Sequence, residues 1–210
     1  MPGSAAVAIW CDVSFDVRDE FDDWHAHEHV PERRSIPGFL RASRWLAADG
    51  SVGNFMLYEA ESETTVTSAA YLERLNNPTP WSRRMMPHHR NMVRSLCRVE
   101  SRTGEGLGQV LLTLRFSPGE RGEETAAWLG SRLPGLALRK GVVSAQFLRN
   151  IPPPDAAPTT EQRIRGGDAM ADRIVLVSGY DADAVASIAS AELVPGTEVA
   201  AALYRLAYVQ

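Results

Sequence analysis

The sequence predicts an α+β fold in which two successive βαββαβ units cover each other's sheets inside a single chain. Three observations carry that prediction. The order strand, helix, strand, strand, helix, strand occurs once before residue 102 and again after residue 109. The strand-like segments carry bulky side chains on both parities, with Trp10, Arg41, Trp45 and Leu111 as examples, so each sheet needs cover on both faces. The composition, 44% apolar and 23% charged over 210 residues, is that of a globular chain and excludes disorder.

The elements follow in order. Val7, Ile9, Cys11 and Val13 alternate onto one face of a first strand. A helix runs from about Phe21 to the break at Ile36-Pro37-Gly38, and Phe39 to Ala47 is the second strand. Asp49-Gly50 is a turn signal before a third strand at Phe55 to Ala60. A helix over roughly Val66 to Leu75 and a strand at Val93 to Glu100 complete the unit. In the second unit, Gln109 to Phe116, Val142 to Arg149, Arg173 to Tyr180 and Val199 to Val209 read as strands. Its helices are Glu123 to Leu133, which ends at Leu133-Pro134-Gly135 in apparent match to Ile36-Pro37-Gly38, and Ala182 to Ala191. Ile151 to Ala171, rich in Pro, Thr and Gly, reads as a long mobile hairpin loop, and Arg102 to Gly108 as the linker. Each βαββαβ unit is ferredoxin-like, with strands in the spatial order 4-1-3-2 and both helices on one face.

Charge and cysteine content exclude several classes. The net charge of −4 divides into −2 on either side of Gly104, so neither half has the basic excess that phosphate-backbone binding requires, and no nucleic-acid partner is expected. No run approaches the ~20 apolar residues of a membrane span, and the apolar start, Met1 to Cys11, reads as a strand because it lacks a basic n-region. Two cysteines cannot build a disulfide framework, which points to a reduced, cytoplasmic setting. Strand parity places Cys11 and Cys97 on one face of neighbouring strands. It places Asp12 near Arg98 on the other face, beside Trp10 and Leu96.

Residue types that carry chemistry are concentrated in the first half. All five His, four of five Trp, both Cys and five of six Met lie there. The richest segment is Trp24-His-Ala-His-Glu-His-Val-Pro-Glu-Arg33, followed by Ile36-Pro-Gly-Phe39. At about 100° per residue, Glu28 falls within about 20° of Phe21, with His25 and His29 about 40° and 80° to one side and Trp24 about 60° to the other. Glu28 then faces the sheet, where a carboxylate must be paired or open on a cavity. Either it lines a pocket with His25 and His29, or it satisfies backbone disturbed by Pro31. His25-x-x-Glu28-His29 also matches a zinc-peptidase pattern, but no third ligand accompanies it and no metal is expected. A second cluster, Pro78 to Asn91, reads as an extended loop closing one end of the gap, with Trp81 as a wall and His88, in preference to His89, turned inward.

The Trp24–Phe39 segment resembles the first helix and following strand of EthD-type proteins. These belong to the dimeric α/β-barrel superfamily, with muconolactone isomerases, small cofactor-free monooxygenases and chlorite-dismutase-like haem proteins. The resemblance implies two fused ferredoxin-like repeats packed sheet to sheet as an intrachain dimeric α/β barrel. Residues 1–102 would be the functional half and 109–210 the scaffold half. It implies a cofactor-independent isomerase or monooxygenase of a small aromatic metabolite; a non-catalytic small-molecule-binding or assembly protein of the same fold is the alternative. His29 would be the general acid or base, oriented by Glu28 and His25, with Trp24, Trp81 and His88 against the substrate and Arg33 on an anionic group. No cofactor is expected: the haem-binding relatives commonly use a His in the C-terminal repeat, and here that repeat has none. A homodimer through outer helices or edge strands is compatible with this reading but is not needed to form the barrel.

Overall fold

In the computed structural model, which describes residues 3–152, 157–188 and 190–210, eight antiparallel strands close into one barrel. They are β1 (Ala5–Asp12), β2 (Phe39–Ala47), β3 (Gly53–Ala60), β4 (Arg90–Thr103), β5 (Val110–Phe116), β6 (Val142–Asn150), β7 (Arg173–Gly179) and β8 (Val199–Val209). Around the barrel the order is β1-β3-β2-β8-β5-β7-β6-β4. Each half of the chain thus contributes four neighbouring strands in the order 4-1-3-2. The halves are joined at two seams, β2 with β8 and β4 with β6, so that among the described strands no sheet edge is left unpaired. This is the dimeric α/β-barrel architecture closed within one chain.

Strand parity sorts the side chains into three apolar layers. Trp10, Trp45, Phe55, Leu111, Leu148, Ile174 and Tyr204 fill the barrel interior, where the Trp10 indole N–H reaches Thr113 of the other half at 3.3 Å. Outside β1–β4, α1 (Arg18–Trp24) and α2 (Val30–Arg34), joined by a π-helical turn at His25–His29, pack with α3 (Glu63–Val66), α4 (Ala69–Asn76) and α5 (Pro80–Met85). Outside β5–β8, α6 (Gly122–Ala137) lays Leu129, Leu133 and Leu136 against Leu112, Leu114, Phe147, Val175 and Val177. Thr160–Arg165 forms α7, and α8 (Ala182–Ala186) and α9 (Ser190–Leu193) complete the layer. Among the described residues no helix is long and apolar enough to cross a membrane.

Several expectations are corrected. Leu133-Pro134-Gly135 does not end its helix, which continues to Ala137. The counterpart of Gly38 is Gly141, and both glycines take φ of +91° just before β2 and β6. Pro78–Asn91 is not an extended loop: Thr79 caps the Ser82 N–H and Pro80 stands at the first position of α5. The supposed hairpin loop Ile151–Ala171 contains α7, opened by a capping box between Thr159 and Gln162; residues 153–156 of that connection lie outside the described residues, as does residue 189 of the helix expected over 182–191.

Parity also fails on β4. Cys11 lies in the helix-side core, but Cys97 faces the barrel interior and Leu96 the helices. Met92 and Leu96 on one parity and Val93, Cys97 and Val99 on the other make both faces apolar, so alternation does not label them. Antiparallel register separates Asp12, opposite Arg90, from Arg98, opposite Ala5. Asp12 accepts from Asn91 instead, and Arg98 pairs with Glu63 at the surface.

Candidate functional site

The first half's long helix is wider than an α-helix for one turn. The Val30 N–H bonds the His25 carbonyl, five residues back, which defines the π-helical turn over His25–His29. Such a turn acts like one inserted residue and delays everything after it by about 100°. His29 thereby takes the core-facing direction expected for Glu28, and Arg33 also swings inward. Both are buried, at 7% and 3% exposure.

Glu28 turns instead toward α5. Its carboxylate accepts from the Trp24 indole at 3.2 Å, the Thr79 hydroxyl at 2.5 Å and the Ser82 hydroxyl at 3.2 Å. It therefore ties the long helix to the N-cap of α5 and does not line the gap beneath. Trp24 is fully buried, with its ring centroid 4.5 Å from that of His29. His25 meets the Tyr58 hydroxyl through Nε2 at 3.0 Å. His25, Glu28 and His29 thus do not converge on a common point, as a metal site would require.

The inward ring of the second cluster belongs to His89. The short 3-10 turn Met86–His88 ends with His89 in extended geometry, so its ring folds back and Nδ1 meets the carbonyls of Met85 and Met86, both at 3.2 Å. His88 stays half-exposed. Trp81 packs at the edge of the layer, donates to Glu20 at 3.2 Å and does not reach the cavity.

His29, Arg33, Tyr58, Tyr71, His89 and Arg94 surround a cavity of about 20 Å³, with Ile9, Phe39, Met56, Leu75, Met86 and Met92 as apolar walls. That space accommodates about one water. It is shut by α7, whose Glu161 pairs with Arg33 and whose Arg165 bonds Asp168 at 2.8 Å. Glu161 and Arg165 are the residues that sequence reasoning missed. The Thr159-x-x-Gln162 capping signature was the signal that could have found their helix.

Burial sets the protonation states. It lowers His25 to about 3, helped by His89, and His89 to about 4, helped by Arg165. Burial first, then Arg33, holds His29 well below its usual range. All three rings are neutral at pH 7. Because Nδ1 of His89 faces two carbonyls it carries the proton, which leaves Nε2 as a bare acceptor. Nδ1 of His25 is buried without a partner. A bare nitrogen is left unpaired at lower cost than an N–H, so Nε2 of His25 donates to Tyr58 and the phenol keeps its own O–H for the cavity. Burial raises the Tyr58 pKa, so that proton stays in place.

The fold matches solved structures although the sequence is remote from them. An anthrone oxidase-like protein superposes with a TM-score of 0.70 at 11% identity, over 98% of this chain and 92% of that one. A protein of Fusobacterium nucleatum provisionally assigned as a monooxygenase gives 0.62 at 9% identity, over 100% and 95%. A mutant chlorite dismutase of Candidatus Nitrospira defluvii, in complex with cyanide, gives 0.54 at 10% identity, over 99% and 92%. No protein-family model matches the chain, and no curated protein matches it. At these identities the likeness establishes the fold.

The second half does not fit a haem. The second half has no His, and its gap between helix and sheet is filled by Leu129, Leu133, Leu136 and Phe147. With α7 closed, the first half has no room for a haem.

Proposed function

We propose that the chain is a cofactor-independent enzyme that removes a proton from an activated C–H bond of a small aromatic molecule, admitted to the first half's cavity when α7, which shuts it, moves aside. The observation that carries the reading is His89: its proton is committed to two carbonyls, so its free nitrogen is a base in the wall of a buried cavity. Tyr58 supplies an O–H for the oxyanion that forms as the C–H proton leaves, and Arg33 a cation for an anionic group of the substrate beside it. His29 adds a polar ring to the same wall, His25 orients Tyr58, Glu28 and Trp24 hold α5 against the helix, and Trp81 and His88 stay at the rim. Negative charge developing on the substrate favours protonation of His89, which offsets its low resting basicity. The anion can then be reprotonated at another carbon, as in an isomerase, or react with dioxygen, as in a monooxygenase. Residues 1–102 carry this chemistry and 109–210 act as scaffold apart from α7. The reading places the protein in a reduced, cytoplasmic setting, and any homodimer would use outer surfaces.

Anthrone is a suitable probe because its methylene is activated and a structural neighbour is described as anthrone oxidase-like. Deuterium exchange at that methylene under argon, and oxygen uptake in air, test the two steps separately. Exchange should be accelerated by the protein and fall by about 10²–10⁴ in His89→Ala. Binding without exchange or oxygen uptake favours the non-catalytic binding protein. Exchange that persists undiminished in His89→Ala sinks the assignment of the base.

A further inference from the structure

Helix α7 comes from the β6–β7 connection of the second half, yet its charged side chains are buried in the first half's site. Glu161 pairs through one carboxylate oxygen with Arg33 and meets Arg165 through the other at 3.4 Å. Both its partners and its own side chain are at most 4% exposed. A planar carboxylate between two guanidiniums is a strong arrangement for that pair of groups, and here the carboxylate belongs to the chain itself.

The cations around it are not satisfied by it. Nη1 of Arg33 is buried with no hydrogen-bond partner, and Glu32 stands 3.8 Å from it without a bond. Arg94 donates to the Tyr71 hydroxyl at 2.9 Å and, among the described residues, has no carboxylate within ion-pair distance. Arg33 and Arg94 both lie over the Tyr71 ring, at 5.8 and 5.9 Å from its centroid. Two guanidiniums on one aromatic platform, one with an idle N–H and one without a counter-charge, are arranged for an anion that Glu161 only partly replaces.

The helix is also built to leave. It is a single turn and a half, capped at Thr159, and it ends on Gly166 and Gly167 with φ of +86° and +102°. Nothing lies within 4 Å of where a side chain would project from either glycine. Consecutive glycines in open space form a hinge at which the helix can swing.

We propose that Glu161 is an internal stand-in for the ligand's own carboxylate, and that an aromatic carboxylate binds by displacing it from Arg33 while α7 turns outward at Gly166-Gly167. The proposal rests on the functional reading above and names its substrate class. The incoming carboxylate meets Arg33 and Arg94 on the Tyr71 platform, and its ring takes the apolar space of Phe39, Met56 and Met92 that α7 closes. Because the open state is a minor one, apparent affinity is reduced by the fraction of molecules that are open.

The test uses 2-naphthoate and its uncharged analogue 2-naphthamide, with binding measured by calorimetry. Glu161→Gln should bind naphthoate roughly tenfold more tightly than the wild type, the effect of about 1.4 kcal/mol of lost competition and easier opening, while naphthamide, which gains only from the easier opening, should gain clearly less. Equal or weaker naphthoate binding by a folded Glu161→Gln overturns the proposal, as does an equal change for both ligands. A second measurement needs no variant. Amides of Thr160–Arg165 in the wild-type chain should exchange hydrogen faster once naphthoate is added, and unchanged or slower exchange overturns the proposal. Failure of naphthoate and naphthamide alike to bind also overturns it, whereas the anthrone exchange assay decides the enzymatic reading separately.

Discussion

The two helical layers sit on matching sheets and are built from opposite materials. In the second half, α6 presents Leu129, Leu133 and Leu136 to a sheet face of Leu112, Leu114, Val175 and Val177, and the space is filled. In the first half the equivalent helix carries a π-helical turn and buries His25, His29 and Arg33 over Tyr58, with His89 and Arg94 alongside. Buried nitrogens without partners, on His25, His29 and Arg33, occur in this layer. A scaffold that is packed with leucine on one side holds buried imidazoles and guanidiniums around a cavity on the other. Such local departures from good packing are expected where a protein binds or reacts.

The largest effect should come from the apolar layer. Leu133 is fully buried, and Leu133→Ala should destabilise the chain by about 2–5 kcal/mol through lost burial and the cavity left behind. Urea denaturation gives the number, and deuterium exchange of anthrone by the folded variant should be unchanged. A loss of exchange at full folding would mean that the second half is not only scaffold.

On the polar side, Glu28→Gln weakens a carboxylate that accepts from Trp24, Thr79 and Ser82. We expect a loss of about 1–3 kcal/mol, the range for disturbing a buried polar contact. The anthrone assay should show activity retained near its wild-type level, because Glu28 touches α5 and not the cavity. A stable variant without activity would place Glu28 in the chemistry.

These residues also mark what could be read from the sequence. The 4-1-3-2 strand order in both halves, the barrel and the wealth of chemistry in the first half were legible, because alternation and segment order are local patterns. The facing of Glu28 and His29 was not, since a regular 100° step cannot anticipate a π-helical turn, although Pro31, which offers no N–H, lies two residues beyond its last residue. The choice of His88 over His89 failed for a similar reason: the Met86–His88 turn decides which ring folds back. Thr79-Pro80 and Thr159-x-x-Gln162 are ordinary helix starts obscured by the prolines around them. The visit of Glu161 to Arg33, 128 residues away, is a tertiary fact with no local signature.

Acid should separate the layers further. The folded pKa values of His25 and His89, about 3 and 4, lie below the value near 6.5 of an unfolded His. Between those limits the unfolded chain binds more protons, so stability rises with pH there and falls as pH drops from about 6.5 toward 4. His29 is shifted in the same direction. Each His contributes about one proton, or about 1.4 kcal/mol per pH unit at most. His25→Phe should therefore flatten the dependence of urea stability on pH by about one proton. An unchanged slope would show that His25 is not held neutral.

The smallest effect is expected one residue from the largest concentration of buried rings. His27 lies on the same π-helical turn as His25 and His29, but its side chain is 73% exposed. Its Nδ1 meets the Asp23 carbonyl at 3.0 Å in open solvent. Removing it leaves no cavity and no unpaired buried group, so His27→Ala should change stability by no more than about 0.5 kcal/mol. More tellingly, it should leave the acid slope as it is, because the substitution removes no buried ring. The comparison with His25→Phe asks whether burial, and not the mere presence of imidazole on this helix, makes the first layer sensitive to acid. If His27→Ala flattened the slope as much as His25→Phe, the sensitivity would belong to the helix surface, and the contrast between the two layers would rest on packing alone.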